Sequence, residues 1–170
     1  MNNIILIGMP AAGKSTLGVL LAKEQGMDFV DSDLVIQRRE GRKLFEIIRD
    51  DGIQRFLQLE EEVLCSLPLT HTVLATGGSA VYSERAMAYL RRGGRCVYLR
   101  VSFDEWRRRL GNIRRRGVVL RDGETLEALY AERTVLYERY ADLIVDMEKE
   151  GIEETASRLI QAVDSGQGVK

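Results

Sequence analysis

Short apolar runs alternate along the chain with longer segments in which apolar residues recur every three or four positions. A strand buried on both faces is apolar at nearly every position, so the short runs are predicted strands. They cover residues 3–7, 28–30, 72–75, 96–99 and 143–145. The segments between them have the helical period. This alternation predicts an α/β fold in which a five-stranded parallel sheet carries helices on both faces.

The helical periodicity predicts seven helices. They cover residues 14–25, 33–39, 44–67, 83–92, 103–110, 126–140 and 152–163, and the third is expected to break near Gly52. Gly26 and the pair Gly93 and Gly94 are predicted helix ends, because glycine accepts the left-handed conformation that closes a helix. A chain of 170 residues suits one domain, residues 1–170. We expect a disordered tail over about residues 164–170.

Composition narrows the class of partner. The formal net charge is -1 and 45% of the residues are hydrophobic, which favours a soluble globular protein over a disordered chain or a general nucleic-acid binder. No apolar run approaches the length of about 18 residues that spans a bilayer. Cys65 and Cys96 lie in apolar contexts that suit reduced thiols. We therefore expect a cytoplasmic monomer that binds a small molecule and has neither a nucleic-acid nor a membrane partner.

A glycine loop separates the first strand from the first helix. Gly8 to Thr16 reads GMPAAGKST and meets the phosphate-loop pattern in the required strand-to-helix context. In such a loop the backbone N–H groups and the helix N-terminus surround phosphate oxygens, while Lys14 reaches the outer phosphates and the Ser15 hydroxyl coordinates Mg²⁺. The predicted phosphate-binding residues are Gly8, Ala11, Ala12, Gly13, Lys14, Ser15 and Thr16.

Ala11 stands where many phosphate loops have a third glycine. Alanine is small enough for a phosphate to approach, but it loses some freedom at positive φ. We interpret it as tolerated. An ordinary strand-turn-helix connection is the alternative for the whole loop, yet such a connection would not need Lys14 just inside the helix.

Two carboxylates follow the second strand. Asp31 and Asp33 come at the carboxyl end of that strand, where ligands bind in open parallel sheets. One could hold Mg²⁺ through water while the other accepts a proton from a hydroxyl substrate. The alternative is that Asp31 only caps the next helix. Gly77 and Gly78 end the third strand, where they either let a ligand approach the backbone or form a tight turn.

Arginines are concentrated in the second half of the chain, at positions 107, 108, 109, 114, 115, 116 and 133. Permanent planar cations suit phosphoryl groups and carboxylates, although most arginines on a helix are solvated or form surface ion pairs. Residues 111–124, GNIRRRGVVLRDGE, combine arginines with glycines. This composition predicts a mobile lid.

Taken together, these blocks resemble the shikimate kinase family over essentially the whole length. The matching segments are, in order, GMPAAGKSTLG, DSDLVIQRREGRKLFEII, DDGIQRFLQLEEEVL, VLATGGSAV, the arginine-rich lid and ERTVLYERYAD. The resemblance implies a three-layer P-loop kinase fold with a mobile lid. It also implies phosphorylation of a ring hydroxyl, with ATP and Mg²⁺ as cofactors.

The resemblance also implies roles on the nucleotide side. Lys14 would stabilise the transferring phosphoryl group, and Ser15 with Asp31 would hold the metal. Arg116 would close on the phosphates from the lid. The implied nucleotide contacts also include Arg108 or Arg109, which would lie against adenine.

On the acceptor side, the resemblance implies that Asp33 activates the hydroxyl and that Arg133 binds the substrate carboxylate. The glycine segment, represented here by Gly77, Gly78 and Ser79, would contact the substrate.

Three positions depart from the family pattern, and all three lie on the acceptor side. Leu57 replaces an arginine that also grips the carboxylate, Ile53 replaces a glutamate, and Ser79 replaces a glycine. Losing one hydrogen bond to a charged group weakens binding by about ten-fold to more than a hundred-fold. The acceptor could therefore be shikimate, or another hydroxylated metabolite with an apolar group facing Leu57. A nucleotide-binding regulator without transfer activity is a third alternative.

Overall fold

The computed structural model describes residues 3–111, 118–147 and 151–166. Its five strands are β1 (Asn3–Ile7), β2 (Asp28–Asp31), β3 (Thr72–Ala75), β4 (Gly94–Arg100) and β5 (Leu143–Asp146). They form one parallel sheet in the order β2-β3-β1-β4-β5. Every residue of β1 and β3 is buried, so the centre of the sheet is covered on both faces. The predicted five-stranded parallel α/β fold is confirmed.

The described helices are α1 (Lys14–Gln25), α2 (Ser32–Glu40), α3 (Leu44–Ser66), α4 (Glu84–Gly93), α5 (Phe103–Leu110), α6 (Leu126–Tyr140) and α7 (Ile152–Ser165). A short 3₁₀ turn covers Ala80–Tyr82. Helix α1 packs against α7, and α3 packs against α4. The expected break in α3 is present at Gly52, whose φ of 83° and ψ of 164° are not helical.

Two details of the helix ends differ from the sequence prediction. Gly26 closes α1 in the left-handed conformation, as predicted, but Gly94 is extended and starts β4. The reason is its pairing with Asn3 in the sheet, where a β-carbon on Gly94 would meet the Asn3 backbone. Helix α7 continues to Ser165, so Asp164 and Ser165 belong to a helix and not to the expected tail. Asp164 accepts a hydrogen bond from Gln25 at 2.8 Å.

A second apolar cluster lies beside the main core and borders the site described below. It consists of Ile36, Ile47, Phe56, Leu59, Val63 and Val119, so it joins α2 and α3 to the segment that precedes α6. Ile53 and Leu57 are partly buried against it. Both cysteines are free, with Cys96 buried and Cys65 half-buried. Among the helices that the structure describes, none combines the length and the apolar character needed to cross a membrane.

Candidate active site

The segments that follow β1, β2 and β3 meet at the carboxyl edge of the sheet, because parallel strands end on the same side. They enclose a cavity of about 420 Å³. Its lining includes the following predicted site residues: Ala11, Gly13, Lys14, Ser15, Thr16, Asp33, Gly77, Gly78, Ser79 and Arg133. The fold thus brings the phosphate loop, one carboxylate, the glycine segment and one arginine into one space.

The phosphate loop is built around backbone conformations that glycine favours. Gly13 precedes α1 with a φ of 95°. Gly8 has a φ of 147°, and a β-carbon there would lie 2.8 Å from the carbonyl oxygen of Leu99. The Trp106 indole donates a hydrogen bond to the Pro10 carbonyl at 2.9 Å and so anchors the middle of the loop.

Lys14 is buried inside this loop with 7% of its surface exposed. Its ammonium donates hydrogen bonds to the carbonyls of Gly8 at 2.7 Å and Met9 at 2.8 Å. Burial lowers the pKa of Lys14 to about 8, with the nearby Asp33 opposing that shift. The side chain therefore remains mainly a cation at neutral pH and is fixed within the loop; its contact with the outer phosphates stays a prediction.

Ala11 adopts the left-handed conformation, with a φ of 62°. An L-residue with a β-carbon is strained there by about 1–2 kcal/mol. We expect Ala11→Gly to raise the free energy of unfolding by about 1 kcal/mol, measured by urea denaturation. Ala12→Gly is the matched control. Ala12 is fully buried, so we expect the same change there to lower the free energy of unfolding. No gain in stability for Ala11→Gly would contradict this account of the loop.

Ser15, which lines the cavity, lies beside Asp31. The Ser15 hydroxyl donates to Asp31 Oδ2 at 2.5 Å, while Asp31 Oδ1 accepts the backbone N–H groups of Asp33 at 2.9 Å and Leu34 at 3.3 Å. Asp31 therefore caps α2 and also faces the phosphate loop, so the two interpretations of this residue are compatible. A hydroxyl beside a carboxylate is an oxygen donor set that fits Mg²⁺.

The donor set is small. Within the described ranges, no cluster of three or more His, Cys, Asp or Glu side chains could hold a metal ion. A magnesium ion at Ser15 and Asp31 would therefore take its remaining ligands from water and from nucleotide phosphates, which is the usual arrangement for this ion.

Asp33 points into the cavity from the first turn of α2. Its Oδ1 atom is buried and has no hydrogen-bond partner in the described part of the chain. Burial and the neighbouring Asp31 raise the pKa of Asp33 to about 6, while Lys14 lowers it. A carboxylate that lines the cavity and has a pKa nearer neutrality is suited to accept a proton from a hydroxyl.

The glycine segment is crowded by charged side chains. A β-carbon on Gly77 would collide with the carboxyl groups of Glu60 and Asp33, and one on Gly78 would meet the Pro10 ring and Arg133. The Gly77 N–H group donates to the Ser32 hydroxyl at 3.1 Å. These glycines are therefore required for the close approach of side chains around the cavity.

Arg133 reaches the cavity from α6 and is only 1% exposed. Its Nε donates to the Tyr82 hydroxyl at 3.2 Å, and its Nη2 donates to the Val119 carbonyl at 2.9 Å. The guanidinium also lies over the Tyr82 ring, 5.2 Å from its centre, and Nη1 lies against Gly78. A buried cation held this firmly is a preorganised site for an anion.

Glu60 is a residue of this site that the sequence motifs missed. It is 2% exposed, lines the cavity and accepts a hydrogen bond from Ser79 at 2.6 Å. A signal was available, because Glu60 follows Phe56 by one turn and shares the buried face of α3 with Leu64. A single acid at an apolar helix position is rarely buried without a functional or structural reason.

Leu57 is not part of the cavity lining. It lines a neighbouring cavity of about 170 Å³, which shares Glu60 and Ser79 with the larger one. Ile53 packs against the second apolar cluster. Two of the three positions that depart from the family pattern, Leu57 and Ser79, thus share the lining of this smaller cavity with Glu60.

The structure does not show whether the arginines predicted on the nucleotide side contact a nucleotide. Arg108 and Arg109 both donate hydrogen bonds to Glu105, with distances of 2.6–2.8 Å. Arg108 is mostly exposed and Arg109 less so. Their placement beside adenine stays a prediction. Arg116, with Arg114 and Arg115, falls in residues 112–117, outside the described residues.

A phosphate loop that opens on a cavity with a buried carboxylate and a buried arginine, on a parallel α/β sheet, defines a P-loop phosphotransferase of small molecules. The family model described as "Shikimate kinase" matches residues 10–164. The chain belongs to the shikimate kinase family. It is accordingly an ATP-dependent phosphotransferase with an alcohol group as acceptor.

Individual relatives agree with that assignment. The chain is 40% identical over 152 residues to a shikimate kinase of Pseudomonas entomophila (strain L48), covering 88% of each chain. It is 38% identical over 154 residues to a shikimate kinase of Thermobifida fusca (strain YX), covering 89% of each. The structure of shikimate kinase from Acinetobacter baumannii in complex with shikimate superposes with a TM-score of 0.88 at 29% identity, covering 97% of this chain and 94% of that one.

Proposed function

We propose that this protein transfers the γ-phosphoryl group of ATP to a hydroxyl of shikimate in a Mg²⁺-dependent reaction, as a step of aromatic amino acid biosynthesis. The observation that carries the proposal is the shared cavity, in which Asp33 and Arg133 face the phosphate loop. An acceptor with a hydroxyl and a carboxylate could place its hydroxyl at Asp33 and its carboxylate at Arg133. The relative from Acinetobacter baumannii, solved with shikimate, supports this choice of acceptor.

The reaction needs little covalent chemistry from the protein. The acceptor oxygen forms a bond to the γ-phosphorus as the bond from that phosphorus to the β–γ bridging oxygen breaks, and ADP leaves. The proton of the acceptor hydroxyl passes to the carboxylate of Asp33, which lines the cavity. Lys14 stabilises the negative charge on the transferring group from its fixed position in the loop.

Mg²⁺ would be held by the Ser15 hydroxyl directly and by Asp31, in part through water. When bound, it would supply further positive charge at the phosphates. The hydrogen bond between Ser15 and Asp31 keeps both groups at the mouth of the phosphate loop. Asp31 is also fixed by its role as the cap of α2.

A different small hydroxylated acceptor is the second candidate. It is favoured by one observation: Glu60, an acid, lies beside the position where a carboxylate would meet Arg133. An ionised Glu60 would disfavour an anionic acceptor and would suit a neutral polyol. The two candidates differ in whether a carboxylate on the acceptor improves its use.

Steady-state release of ADP, measured with a panel of acceptors, tests the proposal. We expect shikimate to stimulate ADP release saturably, and we expect neutral polyols of similar size to be used at least about ten-fold less well by kcat/KM. Preference for a neutral polyol would favour the second candidate. ATP hydrolysis that no hydroxyl compound stimulates would instead indicate a nucleotide-binding regulator.

A further inference from the structure

Tyr82 is the last residue of the 3₁₀ turn that follows the glycine segment, and its side chain contacts Arg133 in two ways. The Tyr82 hydroxyl accepts a hydrogen bond from Arg133 Nε at 3.2 Å. The guanidinium carbon of Arg133 lies 5.2 Å from the centre of the Tyr82 ring, within the range of a cation–π contact. The backbone N–H of Tyr82 donates to the Ser79 carbonyl at 2.9 Å, so the turn fixes the place from which the ring reaches the arginine.

Arg133 is a buried cation whose partners are neutral. Within the described residues it forms no ion pair, and its hydrogen bonds go to the oxygens of Tyr82 and Val119. These bonds use Nε and Nη2, whereas Nη1 lies against Gly78, which lines the larger cavity together with Arg133. Because Nη1 carries N–H donors of its own, the guanidinium can still pair with an anion beside the glycine segment.

The orientation of Arg133 depends on these two neighbours. An arginine side chain is long and can adopt many rotamers, so an unrestrained guanidinium loses conformational freedom when it binds a ligand. Tyr82 and the Val119 carbonyl remove part of that freedom before an acceptor binds. The Val119 contact comes from the backbone, which a substitution of the side chain leaves in place. Tyr82 is therefore the side chain through which the orientation of Arg133 can be changed.

The Tyr82 ring is itself restrained by a second arginine. The guanidinium carbon of Arg121 lies 5.4 Å from the ring centre, and Arg121 donates hydrogen bonds to both carboxylate oxygens of Glu132, at 3.0 Å and 3.2 Å. Tyr82 is half-buried and lines the smaller cavity with Leu57. It is not among the described residues that line the larger cavity, which is the proposed acceptor site. Any effect of Tyr82 on the acceptor would therefore pass through Arg133.

We propose that Tyr82 is a positioning residue that holds Arg133 in the orientation that binds the carboxylate of the acceptor, without contacting the acceptor itself. This inference rests on the proposed function, because it requires an acceptor with a carboxylate. It restricts the role of Tyr82 to one step. Loss of its contacts should weaken binding of the carboxylate, while the binding of ATP and the transfer of the phosphoryl group, which depend on the phosphate loop and Asp33, should change little.

The experiment compares two substitutions of Tyr82 by steady-state ADP release. Tyr82→Phe removes only the hydroxyl, and Tyr82→Leu removes the aromatic ring as well. We expect the Michaelis constant for shikimate to rise about three-fold or more in the first variant and about ten-fold or more in the second. The turnover number and the Michaelis constant for ATP should stay within about two-fold of the unchanged protein. Tyr89→Phe is the matched control, because the Tyr89 hydroxyl also forms one hydrogen bond, to the Leu67 carbonyl at 2.9 Å, and we expect it to leave all three constants unchanged.

Two further measurements separate positioning of Arg133 from a general structural role. In the Arg133→Met background no guanidinium remains to be positioned, so we expect Tyr82→Phe to change kcat/KM for shikimate by less than about two-fold there. The methyl ester of shikimate has no carboxylate, and we expect the unchanged protein and Tyr82→Phe to use it equally well. A merely structural role would instead lower kcat/KM in both backgrounds and for both acceptors. Thermal unfolding of each variant checks that it is folded.

An unchanged Michaelis constant for shikimate in the folded Tyr82 variants would overturn the inference while leaving shikimate as the acceptor. Tyr82→Phe alone decides the matter if Tyr82→Leu does not fold. An equal loss of kcat/KM with and without Arg133, or equal rises in the Michaelis constants for ATP and shikimate, would also overturn it, because Tyr82 would then act independently of the carboxylate contact. Failure of the unchanged protein to phosphorylate shikimate would overturn the proposed function, and the inference with it.

Discussion

Replacing Lys14 with methionine is expected to lower the turnover number by about a hundred-fold or more. Methionine keeps most of the length and apolar volume of the lysine stem but has no charge. The ammonium is buried in the loop and held by two carbonyls, so the substitution removes a positive charge whose position is fixed. The change should therefore remove stabilisation of the transferring phosphoryl group, and steady-state ADP release measures that loss.

Lys23→Met is the matched control for this experiment. Lys23 belongs to the same helix, α1, but lies in its last turn and is exposed. We expect its turnover number to stay within about two-fold of the unchanged protein, since surface changes of this kind have small effects. Near-normal turnover in a folded Lys14→Met protein would contradict the assignment of the phosphate loop.

The lysine also illustrates why the nucleotide side could be predicted from sequence. Gly8, Gly13 and Lys14 lie within seven consecutive residues, and a short loop between a strand and a helix fixes their relative positions. The geometry of such a site is largely local. The central strands β1 and β3 were predicted for a related reason, because burial on both faces makes a strand apolar along its whole length.

The acceptor side could be predicted only in part, because it is assembled from distant segments. Arg133 and Gly78 are far apart in sequence and become neighbours only through the packing of α6 on the sheet. Glu60 carries no motif of its own, and its burial depends on Ser79 from another segment. Likewise, the extended conformation of Gly94 results from pairing with Asn3, which no local propensity encodes.

Leu57 is a second example of what could not be predicted from the sequence. The sequence indicated that an arginine was missing, but it could not indicate what fills the space. In the structure, Leu57 lines the smaller cavity and Ser79 supplies a hydrogen bond to Glu60. Two departures that each seem to weaken the acceptor site are therefore linked through one buried carboxyl group.

Arg133→Met is the second change for which we expect a large effect. Arg133 is the one cation that the described part of the cavity lining offers besides Lys14, and Lys14 is held by the phosphate loop. Loss of a buried, hydrogen-bonded partner of a charged ligand raises the dissociation constant of that ligand by about a hundred-fold or more. We expect that increase in the Michaelis constant for shikimate, with a smaller change in the Michaelis constant for ATP.

The variant also leaves the Tyr82 hydroxyl and the Val119 carbonyl without their donor, so a loss of stability of about 1–3 kcal/mol accompanies the kinetic effect. Arg139→Met provides the matched control: Arg139 lies on the same helix and is largely exposed, and among the described residues it forms a 3.7 Å ion pair with Glu84 and a contact with the Tyr140 ring. Its Michaelis constants should be unchanged. If folded Arg133→Met binds shikimate normally, the carboxylate is held elsewhere. If the Michaelis constants for ATP and shikimate rise equally, Arg133 supports the structure of the whole cavity and does not select the acceptor.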